Sequence, residues 1–151
     1  MSLIIKLTTD SETAYAIACQ LPDYFDASGL ADIKTDSKNH ILYGAYLDDK
    51  MIGFATYKEY NHDVIEMTWL GISPSYQGNR YGEELVSFSL ENLSKSYRFC
   101  KVKTLAETDS YEPYKNTRDF YQRMGFVSVE IISPYPGWGD NPCQIFVKTL
   151  R

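Results

Sequence analysis

At 151 residues the chain is about the size of one ordinary domain, and 44% hydrophobic residues suffice for a real core. A formal net charge of −5 argues against duplex nucleic acid as the main partner, because phosphate neutralisation needs a basic face, and is compatible with a cationic or amine partner. No run of about 18 apolar residues predicts a membrane span, and neither end reads as an export signal.

Leu3–Leu7 reads as a first strand. Thr9-Asp10-Ser11-Glu12 has capping-box spacing, and Ala14, Ile17, Ala18 and Leu21 then share one helical face until Pro22 ends it. The stretch 23–39 is open between a loop and a short second helix interrupted at Gly29. Two apolar runs, Ile41–Leu47 and Met51–Tyr57, are joined by Asp48-Asp49-Lys50, a hairpin signal. Val64–Ile72 continues the meander, with Ile65, Met67 and Trp69 alternating.

The run from Gly71 to Gly82 is the most informative. A strand enters a Pro74 turn, then a loop bearing Gly78, then a helix from about Tyr81. That order aims free backbone N–H groups at one point, and the positive end of a helix dipole suits a phosphate or pyrophosphate. A strand–turn–helix corner with glycines for tight packing is the competing reading.

Gly82, Leu85, Val86, Ser89, Leu90, Leu93 and Tyr97 then form one helical face, and Val102–Glu107 returns as a strand. Asn116 reads as the N-cap of a helix to Met124, with Gly125 in the C-terminal glycine position. Phe126–Ile132 and Gln144–Leu150 are two more strands, separated by a Pro/Gly loop, 133–142, carrying Tyr135 and Trp138. These elements make one domain, 1–151: α/β (α+β), a mixed, largely antiparallel sheet of six to seven strands flanked by about four helices. Three cysteines, Cys19, Cys100 and Cys143, lack metal-ligand spacing, and their odd count argues against a disulfide framework. A reducing cytoplasm is the expected location. The 13 tyrosines are unusually many, and some are expected to line a pocket.

The element order, the loop Gln77–Gly82 and the segment from Asn116 to Phe126 together resemble the GNAT superfamily of N-acetyltransferases. The resemblance covers nearly the whole chain and is most specific in those two segments. Gln77 and Gly82 match the ends of the family's cofactor loop; Arg80 stands where its inner glycine is expected. Arg80 is tolerable if its backbone is helical, and its guanidinium then either pairs with a phosphate or points to solvent.

The resemblance implies acetyl-CoA as co-substrate, with the third meander strand splaying from its neighbour. Leu70, Gly71, Ile72 and Ser73 would pair with the pantetheine arm, an N–H near Leu70 would serve the oxyanion, and Asn116 would contact the cofactor. The N–H groups of Gln77, Gly78, Asn79, Arg80, Tyr81 and Gly82 would hold the pyrophosphate.

Acyl transfer to an amine requires loss of the amine proton, stabilisation of an oxyanion and protonation of the departing thiolate. Tyr121 stands where many family members place a tyrosine beside the sulfur; a packed aromatic is the alternative. Glu66 matches the glutamate base of some members, a surface carboxylate being the alternative and Glu107 the reserve. On a strictly alternating strand Glu66 shares a face with Val64, Thr68 and Leu70. The implied activity is acetyl transfer to a primary amine of a small molecule or peptide by direct attack. A catalytically silent CoA-binding interaction or sensing module is the alternative. Nucleic acid, membrane and metal are not expected, and the chain is compatible with a homodimer. The segments 23–39 and 133–142 are expected to shape the acceptor pocket.

Overall fold

The structure, a computed structural model, describes residues 2–151. Seven strands form one sheet in the order β1-β2-β3-β4-β5-β7-β6. They are β1 (Leu3–Leu7), β2 (Ile41–Leu47), β3 (Lys50–Glu59), β4 (Val64–Ile72), β5 (Phe99–Leu105), β6 (Val127–Ile132) and β7 (Cys143–Thr149). Four helices flank it: α1 (Ser11–Ala18), α2 (Ala27–Asn39), α3 (Tyr81–Leu93) and α4 (Pro113–Arg123). Among the described residues no helix is long and apolar enough to cross a membrane.

Local chemistry sets most boundaries. The β2–β3 hairpin turns on Asp48 and Asp49, both at positive φ, a conformation that suits the right-handed twist of the flanking strands. Asp10, rather than Thr9, caps α1, its carboxylate accepting from the Thr13 amide and hydroxyl. The second helix is continuous: Gly29 lies in its first turn and donates its N–H to the Asp26 cap at 2.8 Å, so the glycine marks a start and not a break. The last helix begins at Pro113, three residues before the expected Asn116 cap. A proline there costs nothing, because its missing N–H is one the first turn leaves unpaired. Asn116 is therefore an exposed residue inside α4. Gly125 does come just after the helix at φ 92°, as its position predicts.

Every neighbouring pair is antiparallel except β4–β5, which run parallel and pair only over Val64–Phe99, Ile65–Cys100 and Glu66–Lys101. Beyond Glu66 the two strands part. The β3–β4 ladder also slips: Thr56 faces Trp69 and Tyr57 faces Met67, leaving Thr68 as an extra residue. Such a bulge reverses the in–out phase of the residues beyond it.

The consequence is visible in the core. Ile65 and Met67 pack with Leu85, Val86, Leu90 and Phe146 on the α3–α4 side, and after the bulge Leu70 and Ile72 join that same side. Trp69 crosses to the opposite side, with Phe25, Ile33 and Phe54 under α1 and α2. The expected alternation of Ile65, Met67 and Trp69, and the shared face of Glu66 with Leu70, both fail at this one inserted residue.

Candidate functional site

The parting of β4 and β5 opens the sheet into a cavity of about 1400 Å³. Its walls come from β4, the loop after it, the starts of α2 and α3, α4 and the 133–142 loop. Glu66, Leu70, Gly71, Ile72, Gln77, Gly78, Arg80, Tyr81, Gly82, Asn116 and Tyr121 all line it. Of the other two residues singled out in the sequence, Ser73 hydrogen-bonds Gln20 at 2.8 Å and Asn79 folds its amide back onto the carbonyls of Tyr76 and Gln77. Glu107 stands apart, past the end of β5, beside Gln144 and a shallower hollow. Six tyrosines (24, 76, 81, 111, 114 and 121) line the main cavity, in keeping with the unusual tyrosine content.

At one end lies the loop that joins β4 to α3. A single 3-10 turn, Pro74–Tyr76, comes after β4, and the Gln77 side chain donates back to the Ile72 carbonyl at 2.9 Å, tying the loop to the strand. Gly78 has φ 83° and opens onto free space. Arg80 has φ 63°, ψ 16°: it is left-handed, not helical, so a conformation suited to glycine is carried here by a bulky residue. No side chain caps α3, and its first hydrogen bond runs from the Glu84 amide to the Arg80 carbonyl at 3.1 Å. The N–H groups of Tyr81, Gly82 and Glu83 thus face the cavity mouth without a helical partner. These features fit a pyrophosphate, and the unpaired edge of β4 beyond Glu66 fits an extended amide-bearing arm.

In the middle sit the titratable groups. Tyr121 is 7% exposed and caged by Phe120, Phe126 and Phe146. Burial, with Cys100 and Tyr114 nearby, holds its phenol far above the ordinary tyrosine range, so it stays protonated at neutral pH. Glu66 is buried, and Lys103 Nζ lies 3.2 Å from its Oε2. Burial pulls the Lys103 ammonium down, but Glu66 and Tyr135 outweigh it, leaving the lysine raised and charged. Thr104 is 3% exposed, and its hydroxyl, buried within the protein, has no hydrogen-bond partner among the described residues.

At the far end Trp69 donates to Asp36 at 2.8 Å, while Tyr111 and Tyr114 donate to the Asp23 and Tyr24 carbonyls, tying the start of α4 to the segment that precedes α2. Lys103, Thr104 and Asp36 carry no signal in the sequence alone. Glu66 and Lys103 meet only because a parallel pairing joins strands far apart in the chain.

The profile of the acetyltransferase (GNAT) family matches residues 5–126. The chain belongs to that family. An uncharacterized N-acetyltransferase of Bacillus pumilus (strain SAFR-032) is 32% identical over 108 residues, 65% of this chain and 59% of the relative, so the match spans less than two thirds of that relative's length. A GNAT-family crystal structure from Desulfovibrio desulfuricans superposes with a TM-score of 0.87 at 16% identity, over 99% of this chain and 100% of that one. A GNAT-family acetyltransferase from Elizabethkingia anophelis with acetyl-CoA bound gives 0.76 at 15% identity, over 97% of each chain. The expected mixed sheet with four helices is the GNAT fold these structures share.

Proposed function

We propose that the protein is an acetyl-CoA-dependent N-acetyltransferase acting on a primary amine of a small molecule or peptide by direct attack. One observation carries this reading: the parted β4–β5 edges lead without interruption from the uncapped start of α3 to the phenol of Tyr121. Family membership and the acetyl-CoA held by the Elizabethkingia neighbour support the same cofactor.

Bound acetyl-CoA supplies the activated acyl group: the amine nitrogen bonds to the acetyl carbon, the C–S bond breaks, and the thiolate leaves to take up a proton. The chain's own residues hold, orient and move protons around that exchange. Backbone N–H groups from Gln77 to Gly82, with the Arg80 guanidinium, neutralise the diphosphate. The free edge of Leu70–Ser73 aligns the arm, and an N–H near Leu70 meets the developing oxyanion. Asn116, one face of α4 away from Tyr121, contacts the cofactor from the opposite lip. Tyr121 donates its phenolic proton to the sulfur. Glu66 receives the amine proton through water, because Lys103 already occupies one face of its carboxylate.

Titration calorimetry with CoA, paired with an acetyl-CoA consumption assay over a panel of amines, tests the reading. Micromolar CoA binding with turnover on at least one amine is expected. Absence of heat at millimolar CoA with folded protein overturns it, and binding without turnover on any amine converts the protein to a silent CoA-binding module.

A further inference from the structure

Where the sheet forks, strand register and side-chain pairing select different lysines. The last β4–β5 pair sets Lys101 opposite Glu66, yet the Lys101 ammonium lies over the Tyr60 ring, 3.8 Å from its centroid. Lys103 lies past that last pair, on the same face of β5 as Lys101. It reaches back across the gap and brings its Nζ to 3.2 Å from Glu66 Oε2. Among the described residues it is the one cation within ion-pair distance of that carboxylate. The same ammonium stands 5.4 Å from the centroid of the Tyr135 ring, within range of cation–π attraction.

Tyr135 is held there by a loop that closes on itself. Its amide donates to the Asn141 carbonyl at 3.0 Å, the Trp138 amide to the Tyr135 carbonyl at 2.9 Å and the Asn141 amide to the Trp138 carbonyl at 3.1 Å. The Tyr135 and Trp138 rings stand 5.1 Å apart, and Trp138 lines the cavity with Glu66 and Lys103. A chain of contacts thus runs from the cavity wall at Trp138 through Tyr135 and Lys103 to Glu66.

Stability does not account for this pair. Glu66 is 8% exposed, and taking two charges out of water costs about as much as their attraction returns, so an apolar pair of similar volume would serve the fold as well. What the pair supplies is geometry. A glutamate side chain turns about several bonds, and an ammonium fixed on one oxygen leaves the carboxylate few orientations and a second oxygen to offer. Resting on the acetyltransferase reading with Glu66 as proton acceptor, we infer that Lys103, backed by Tyr135, is a positioning residue that holds Glu66 by Oε2 and turns Oε1 toward the proton leaving the acceptor amine. As the nitrogen bonds to the acetyl carbon, its proton passes to a water and a proton of that water passes to Oε1. Lys103 keeps all of its own protons. The 133–142 loop therefore serves the base as well as forming part of the cavity wall.

A double-mutant cycle tests the inference, using acetyl-CoA and whichever of tyramine, glycinamide and n-butylamine turns over fastest. Lys103→Met should lower kcat about 10–100-fold while the acetyl-CoA KM stays within about threefold. Lys103→Arg should return kcat to within about fivefold of the parent. In a Glu66→Gln background, Lys103→Met should change kcat by less than about twofold, since no base remains to be positioned. Tyr135→Leu should lower kcat about five-fold in the parent and no further in Lys103→Met. Equal losses in the parent and Glu66→Gln backgrounds overturn the inference, because a lysine needed only for folding lowers the rate whether or not the carboxylate is there. Glu66→Gln at the parent's rate overturns the base assignment and the inference with it, and failure of acetyl-CoA to bind removes the acetyltransferase reading beneath both. Lys103→Met leaves a nearly buried carboxylate unpaired and lowers Tm, so rates are taken well below the melting point. Crystal structures of the two lysine variants read the positioning without turnover. Glu66 spread over several rotamers in Lys103→Met and held in one in Lys103→Arg supports the inference; an unmoved Glu66 carboxylate in Lys103→Met overturns it.

Discussion

The phenol of Tyr121 reaches the cavity from an aromatic cage in which ionisation is strongly disfavoured, which suits a group that must hold its proton until a thiolate asks for it. Tyr121→Phe keeps the packing and deletes the donor. We expect kcat to fall about 10²–10⁴-fold where chemistry limits turnover, with Tm unchanged within a degree or two. An active variant would return Tyr121 to a packing role. Arg80 presents the opposite case, a residue strained where it stands. Its left-handed backbone costs about 1–2 kcal/mol for a side chain with a Cβ. Arg80→Gly should therefore raise Tm by a few degrees, whereas Arg80→Ala keeps the strain and loses the guanidinium. Both should weaken CoA binding relative to the parent at low salt, and neither should change affinity for a pyrophosphate-free analogue. Comparing thermal melts with CoA titrations separates the two effects. A parent-like CoA affinity in Arg80→Ala would leave the arginine as a solvated surface group.

At the scale of elements, legibility in the sequence depends on whether the controlling interaction is local. The hairpin at Asp48-Asp49, the helical face through Leu85 and Leu90 and the glycine ending α4 are all legible, because each is decided within a few residues. The Gly125 position has a direct test. A methyl group there meets a φ of 92° and a Lys148 ammonium 2.8 Å from its Cβ, the same ammonium that bonds the Met124 carbonyl at the end of α4. Gly125→Ala should cost about 1–2 kcal/mol of stability, read from urea unfolding at unchanged m. Non-local effects are hidden. The side that Trp69 faces is decided by the pairing register with Thr56, which nothing near Trp69 encodes. The start of α4 eludes sequence reasoning because Asn116 is a good cap by type, yet Pro113 offers an earlier beginning. The candidate site divides the same way: the loop 77–82 and Tyr121 announce themselves by motif, while Lys103 enters the site only through tertiary contact with Glu66.

For the whole molecule, thiols and phenols buried in the sheet and along α4 set an alkaline limit. Burial pushes Cys100 and Tyr114 up to about 12 and Cys143 up to about 11, and Tyr57 and Tyr121 move the same way. These values lie above those of the unfolded chain, where thiols titrate near 9 and tyrosines near 10. Below pH 9 both states keep the protons and these groups contribute no slope. Between about pH 9 and 12 the unfolded state loses protons first, so stability falls as pH rises. Melts across pH 7–12 should be level with respect to these groups up to about 9 and then decline; a Tm held to pH 11 would contradict the assignment. The parted strands carry a different kind of consequence. Ordinarily the middle of a sheet is where amide hydrogens exchange with solvent most slowly, yet from Met67 to Ile72 this central strand has one neighbour instead of two. Its amides aimed at the gap should exchange orders of magnitude faster than those of β3, giving the molecule a window of rapid deuterium uptake at its centre. Saturating CoA should shut that window while leaving β1 and β2 unaltered, so peptide-resolved exchange would report occupancy of the cleft without any turnover.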